Sequence, residues 1–138
     1  MPGDTVTPDL AGFAQGFGDA LNARDFDALM SFYAPGAVAS FGVLGVREGQ
    51  AAIRGFYEDF TGAFEDFEND FEEIRDLGGG VAFVVFVQRG RPPGSAGWVQ
   101  VRSATVLTFA DGVIERQTNS VDIDQVRAAA ERLAEERG

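Results

Sequence analysis

GQAAIRGFYEDFTGAF, residues Gly49–Phe64, decides how the rest of this chain is read. Ile53, Phe56, Tyr57, Phe60 and Phe64 recur at steps of three and four, or close to it, which collects side chains on one face of a helix. That face carries four aromatic rings. Rings in this number either fill a core or wall a pocket for an organic ligand. The supply is general: the 138-residue chain has 13 Phe against a single Trp and two Tyr.

Upstream of this helix the period stays helical. Thr7-Pro8 reads as an N-cap followed by proline at the first helical position. Leu10, Phe13, Ala14, Phe17 and Leu21 then mark a first helix. Residues 1–6 read as a loose tail. Asn22–Asp25 is a turn, and Phe26, Leu29, Met30 and Tyr33 mark a short second helix stopped by Pro35-Gly36. Ala37–Phe41 suits a short strand, with Gly42 and Gly45 bracketing a loop.

Downstream the period changes to two. Phe67, Asn69, Phe71, Glu73 and Arg75 alternate with acidic residues, as in a half-exposed strand ending near Leu77. Val81–Val87 is apolar on both faces, so a strand there is covered on both sides. Gln88–Gly97 is a Pro/Gly-rich hairpin loop. Trp98–Phe109 and Val113–Val121 are strands joined through Asp111-Gly112, a tight-hairpin signal. Asp122 or Asp124 caps a last helix with Val126, Ala129, Ala130 and Leu133 inward. Helices beside a meander of strands make an α+β fold in one domain spanning residues 1–138. The expected shape is a cone, a curved antiparallel sheet wrapped around helices, with Phe13, Phe17, Phe56 and Phe60 lining its inside.

Composition removes whole classes of chemistry. There is no Cys and no His, and all 11 basic residues are Arg. Thiolate nucleophiles, thiolate metal sites, imidazole bases and lysine Schiff bases are therefore excluded. Six acids fall within Glu65–Glu73, but without the glycine and ligand spacing of a calcium loop they read as a solvated strand face. No metal site and no cofactor is expected. A net charge of −11 repels nucleic acid and anionic membranes, so neither is an expected partner. No apolar run approaches the ~20 residues of a membrane span. The first residues, MPGDTVTPDL, have no secretion-signal pattern, so cytoplasmic residence is the expectation.

Three stretches together, ARDFDALMSFYAPGAV (23–38), GQAAIRGFY (49–57) and FADGVIERQTNSVD (109–122), resemble the nuclear-transport-factor-2-like superfamily, in its SnoaL-like and ketosteroid-isomerase-like branch. The resemblance runs from Leu10 to Asp124. It implies a cone-shaped α+β barrel with an apolar pocket, in a homodimer packed through the sheet. It also implies isomerase, cyclase, hydrolase or purely binding roles, since one fold hosts many functions.

The isomerase roles are vacant here. The general base falls at Ser40, the oxyanion tyrosine at Phe17, and the second oxyanion donor at Ala104 or Thr105. In the epoxide-hydrolase relay, Arg102 and Asp122 take the places of the arginine and second acid, while the first acid falls at Ala104. For the cyclase base, Asn119 and Asp122 are the counterparts on the last strand.

Asp122 is accordingly the first candidate for chemistry. Desolvated at the wall of an apolar cone it would act as a base, paired with Arg102 it would form an anion clamp, and on the surface it would only cap the last helix. Arg102 is the candidate for gripping a carboxylate or enolate. Tyr57 and Tyr33 could offer hydroxyls to a ligand, and Trp98 could stack on one or join a dimer contact. The expected partner is a small hydrophobic molecule, taken up by an enzyme using a carboxylate acid–base or by a non-catalytic binding module. The two apolar faces of Val81–Val87 further predict a homodimer through the sheet.

Overall fold

The computed structural model describes residues 7–138. Residues 1–6, the expected tail, lie outside the described residues. Chain order is α1 (Leu10–Asn22), α2 (Phe26–Met30), β1 (Tyr33–Ser40), a single 3-10 turn (Gly42–Leu44), β2 (Val46–Glu48), α3 (Gln50–Gly62), β3 (Asp66–Gly78), β4 (Val81–Arg91), β5 (Val99–Ala110), β6 (Val113–Ser120) and α4 (Ile123–Arg137).

The strands form one six-stranded sheet in the order β2-β1-β6-β5-β4-β3. It is curved and unclosed, and α+β as expected. Every neighbouring pair is antiparallel except β1 with β6, which is parallel. Parallel pairing needs a long crossover, and everything from β2 to β5 lies between these two strands in the chain.

Three local expectations change. Asp9, not Thr7, caps α1 through its carboxylate, while the Thr7 hydroxyl donates to Asp76 Oδ2 at 2.6 Å. Tyr33 starts β1 instead of ending α2, and Pro35-Gly36 lies within a register shift of β1 against β6. Proline lacks a ladder donor, so it is tolerated where pairing is interrupted. Val46–Glu48, read as loop, pairs with β1.

β3 also changes face partway. Asn69 pairs with Gln88 and Phe71 with Phe86, but the register then slips and Glu73 pairs with Val85. A bulge of this kind reverses which residues face inward. Phe67 and Asn69 are buried on the inner side, whereas Glu73, which shares their parity in sequence, turns outward to Arg127.

Each sheet face has its own cover. The inner face packs against α1, α2 and α3 through a cluster that includes Phe13, Phe17, Leu29, Ile53, Tyr57, Val84 and Phe109. The outer face, built from Val81, Phe83, Val85 and Ala104, packs against Val126 and Ala130 of α4. Val126 and Ala130 are one helical turn apart and small enough for the helix to lie close on the sheet. The Arg127 guanidinium sits 4.5 Å over the Phe83 ring and donates to Glu73 at 2.9 and 3.3 Å. Those hydrogen bonds hold the Glu73 carboxyl below its ordinary value, against a smaller opposing effect of desolvation. The chain's own α4 thus covers the apolar outer face of Val81–Val85.

Candidate functional site

Between the inner sheet face and helices α1 and α3 lies a cavity of about 260 Å³. Phe13 and Phe17 of α1 and Phe56, Tyr57 and Phe60 of α3 wall one side. Phe56 is central to that wall: its ring stacks on Phe41 at 3.7 Å and on Phe60 at 5.6 Å. The sheet supplies Val84, Phe86 and Leu107 opposite. At the rim, Val43 and Val121 are exposed apolar side chains. Among the described residues lining the cavity, none carries a formal charge.

Besides Ser103, Thr105 and Ser120, two hydrogen-bonded polar groups enter this apolar wall. The first joins α3, β1 and β6. The Tyr33 hydroxyl donates to Gln117 Oε1 and lies 2.8 Å from the Tyr57 hydroxyl. With the Tyr33 proton directed at Gln117, Tyr57 is the donor of the second bond. Gln117 Nε2 in turn donates to Asn119 Oδ1 at 3.1 Å. Tyr33, Tyr57 and Gln117 are all buried. Burial disfavours phenolate, and it is the leading reason both tyrosines have raised pKa values; for Tyr33 the proximity of Tyr57 adds to it. For Tyr57 the hydrogen bonds it shares with Tyr33 and Gln117 act in the opposite sense. Both rings are therefore neutral phenols near neutral pH.

The second polar place is on β3 and β4, further along the sheet. Asn69 is 4% exposed and lines the cavity. Asn22 of α1 anchors its backbone, accepting from Asn69 N at 2.7 Å and donating to Asn69 O at 3.3 Å. Its side-chain oxygen accepts from Gln88 Nε2 at 3.2 Å. Its Nδ2 is buried and has no hydrogen-bond partner among the described residues.

The sequence pattern of the SnoaL-like domain family matches residues 14–117. The chain belongs to that family. Solved structures agree on the fold. A hypothetical protein with a ketosteroid-isomerase-like fold from Catenulispora acidiphila, in complex with trimethylamine, superposes with a TM-score of 0.72 at 17% identity, covering 91% of this chain and 94% of that one. A candidate polyketide cyclase of Sinorhizobium meliloti gives 0.66 at 27% identity, covering 82% and 94%. TerC, co-crystallised with polyporic acid, gives 0.70 at 15% identity, covering 91% and 99%. No curated protein matches the chain.

In this SnoaL-like domain the sequence candidates separate into two groups. Phe13, Phe17, Phe56, Tyr57, Phe60 and Asn119 line the cavity together. Tyr33 stands behind them, reaching the wall through Tyr57 and Gln117. Asp122 and Arg102 are not among the lining residues. Asp122 is exposed and caps α4, its Oδ1 accepting from Gln125 N at 3.1 Å. Arg102 projects from the opposite sheet face to Ser103 and pairs with Glu72 at 2.7 Å in solvent. The strand alternation explains its placement: Val101, Ser103, Thr105 and Leu107 line the cavity, so Arg102 and Ala104 point the other way. Trp98 is half exposed and is likewise not among the lining residues.

The same parity separates Thr105 from Ala104. Thr105 faces the cavity and donates to Thr118 O at 3.1 Å, whereas Ala104 is buried under α4. Sequence reading did not single out Gln117, Gln88 or Ser103. Gln117 was legible as the same-face neighbour two residues before Asn119. Gln88 sits in what reads as a loop, and only its pairing with Asn69 places it on β4. Among the described residues, no three acidic side chains gather to hold a metal ion, and no helix is long and apolar enough to cross a membrane.

Proposed function

We propose that this SnoaL-like domain binds a neutral, mainly apolar ring compound bearing one or two oxygen atoms. One observation carries the reading: a 260 Å³ cavity walled by Phe rings, into which the described chain directs amides and hydroxyls but no carboxylate or guanidinium. A charged ligand would lose its hydration there without a counter-charge. A neutral ring compound gains by burying apolar area, at about 25 cal/mol per Å². The Asp122–Arg102 route to acid–base catalysis has no support from their positions, since one caps a helix and the other pairs with Glu72. Binding is thus preferred over an isomerase, cyclase or hydrolase that relies on a carboxylate base.

Titration of the protein with fluorene, a tricyclic hydrocarbon, followed by calorimetry or amide NMR, tests this. Wild-type protein should bind, and Leu107→Trp, which fills the cavity from β5, should weaken binding by at least about tenfold. Absence of fluorene binding, or equal binding by the filled variant, overturns the reading.

A further inference from the structure

We propose that Asn69 is a specificity residue of the cavity: its side-chain N–H donates to a carbonyl or ether oxygen of the ligand. This rests on the proposed binding of a neutral ring compound and names the group on that compound that the protein reads.

The wall holds one unbalanced polar group. An amide side chain has two acceptor lone pairs and two donor hydrogens. Asn69 has its oxygen bonded to Gln88, and its backbone is bonded to Asn22 in both directions. Its Nδ2 alone is buried without a partner among the described residues. An unmade bond at a buried donor costs free energy, so such groups are rare and call for a reason. Asn69 lines the cavity, and an acceptor atom on a bound molecule supplies the missing bond. Gln88 holds the side-chain amide through its oxygen and Asn22 holds the backbone that carries it, which makes the amide a preorganised donor.

Chemistry sets the ligand class. Arg and Lys donors would select anions, and the wall offers neither. A single neutral N–H selects a neutral acceptor, above all a ketone, quinone or lactone carbonyl. The position of this donor also defines a direction. Asn69 is on β3, while Gln117 and Asn119 are on β6, with β4 and β5 between them. A flat ring skeleton lying against Val84 and Leu107 of those middle strands can place one oxygen toward Asn69 and another toward Asn119. Discrimination follows because an analogue lacking the oxygen leaves the donor buried and unpaired.

The test compares 9-fluorenone with fluorene, which has the same ring skeleton without the carbonyl. Wild-type protein should bind fluorenone about tenfold more tightly than fluorene, and the Asn69 side-chain amide signals in ¹⁵N-labelled protein should shift with fluorenone only. In Asn69→Leu the preference should vanish while fluorene still binds, with a thermal melt verifying that the variant is folded. The wild-type NMR comparison stands alone if that variant does not fold. Fluorene binding with no preference for fluorenone, or unshifted Asn69 signals, overturns the role of Asn69 and leaves the cavity reading intact. Tighter binding of 9-fluorenol than of fluorenone, with that preference lost in Asn69→Leu, overturns it too, because the amide would then be presenting its oxygen. If neither compound binds wild-type protein, the cavity reading itself fails and Asn69 falls with it.

Discussion

Tyr33 and Tyr57, 24 positions apart in the chain, bring their hydroxyls to within 2.8 Å of each other inside the protein. Tyr33 arrives on β1 and Tyr57 on α3, and Gln117 of β6 closes the group. Three elements that share little sequence proximity are thereby joined at the cavity wall. The bonds are between neutral groups, so their contribution depends on the phenols keeping their protons.

That dependence has a sign. Both tyrosines have pKa values raised above 10.0 in the folded protein, chiefly through burial. The folded state therefore holds these protons more tightly than the unfolded chain does. The resulting stability is complete below pH 10.0 and is lost as pH rises from there through the folded values. These are the only two tyrosines in the chain, so phenolate absorbance reports them alone. Phenolate should stay absent at pH 10 in folded protein and emerge together with unfolding. Half-ionisation at pH 10 without loss of structure would contradict this.

Removing two members of the group together should cost less than the two single removals added. Tyr33→Phe leaves Gln117 Oε1 buried without its donor, a loss of roughly 1–3 kcal/mol. Gln117→Leu removes the acceptor of the Tyr33 proton and leaves that hydroxyl only its contact with Tyr57. The double variant removes both ends of the bond, so its loss should fall short of the sum by about 1 kcal/mol. Urea unfolding of the four proteins measures this, and strict additivity would show that the bond contributes nothing.

Asp122 and Arg102 give a contrasting pair. Asp122→Ala should lower stability by about 1 kcal/mol through loss of the α4 cap, and leave fluorene binding unchanged. Arg102→Ala should change neither stability nor binding appreciably, as expected of an exposed pair with Glu72. A tenfold loss of binding in either variant, with the fold intact, would place that residue in the site after all.

The attachment of α4 is testable at Ala130, fully buried against the outer sheet face. Ala130→Glu sets a charge among Val81, Phe83 and Val85 and should cost at least about 2 kcal/mol. It should also produce self-association visible by light scattering, because that apolar surface becomes uncovered. Acid acts on the same joint more gently. The Glu73 carboxyl is held below 4.5 by Arg127, so its contribution is present above pH 4.5 and is lost as pH falls through the folded value. A variant as stable and as monodisperse as wild type would refute this account of α4.

Much of this protein is written in local periodicity. The three-and-four spacing of Gly49–Phe64 foretells α3, and Asp111-Gly112, both at positive φ, foretells the tight turn between β5 and β6. The doubled apolar pattern of Val81–Val87 announces a strand covered on both sides. These signals are legible because helix period, strand period and turn chemistry are properties of neighbouring residues. Tertiary structure alone decided which polar groups reach the cavity. A single register slip in β3 turned Glu73 outward after Asn69 and Phe71, and strand parity on β5 sent Arg102 to solvent and Thr105 inward. Asp122 caps a helix rather than facing a ligand, while Gln88 meets Asn69 only because two strands align. Direction across a sheet depends on pairing between distant strands, and one residue of slip reverses it, so no stretch of sequence read by itself contains that information.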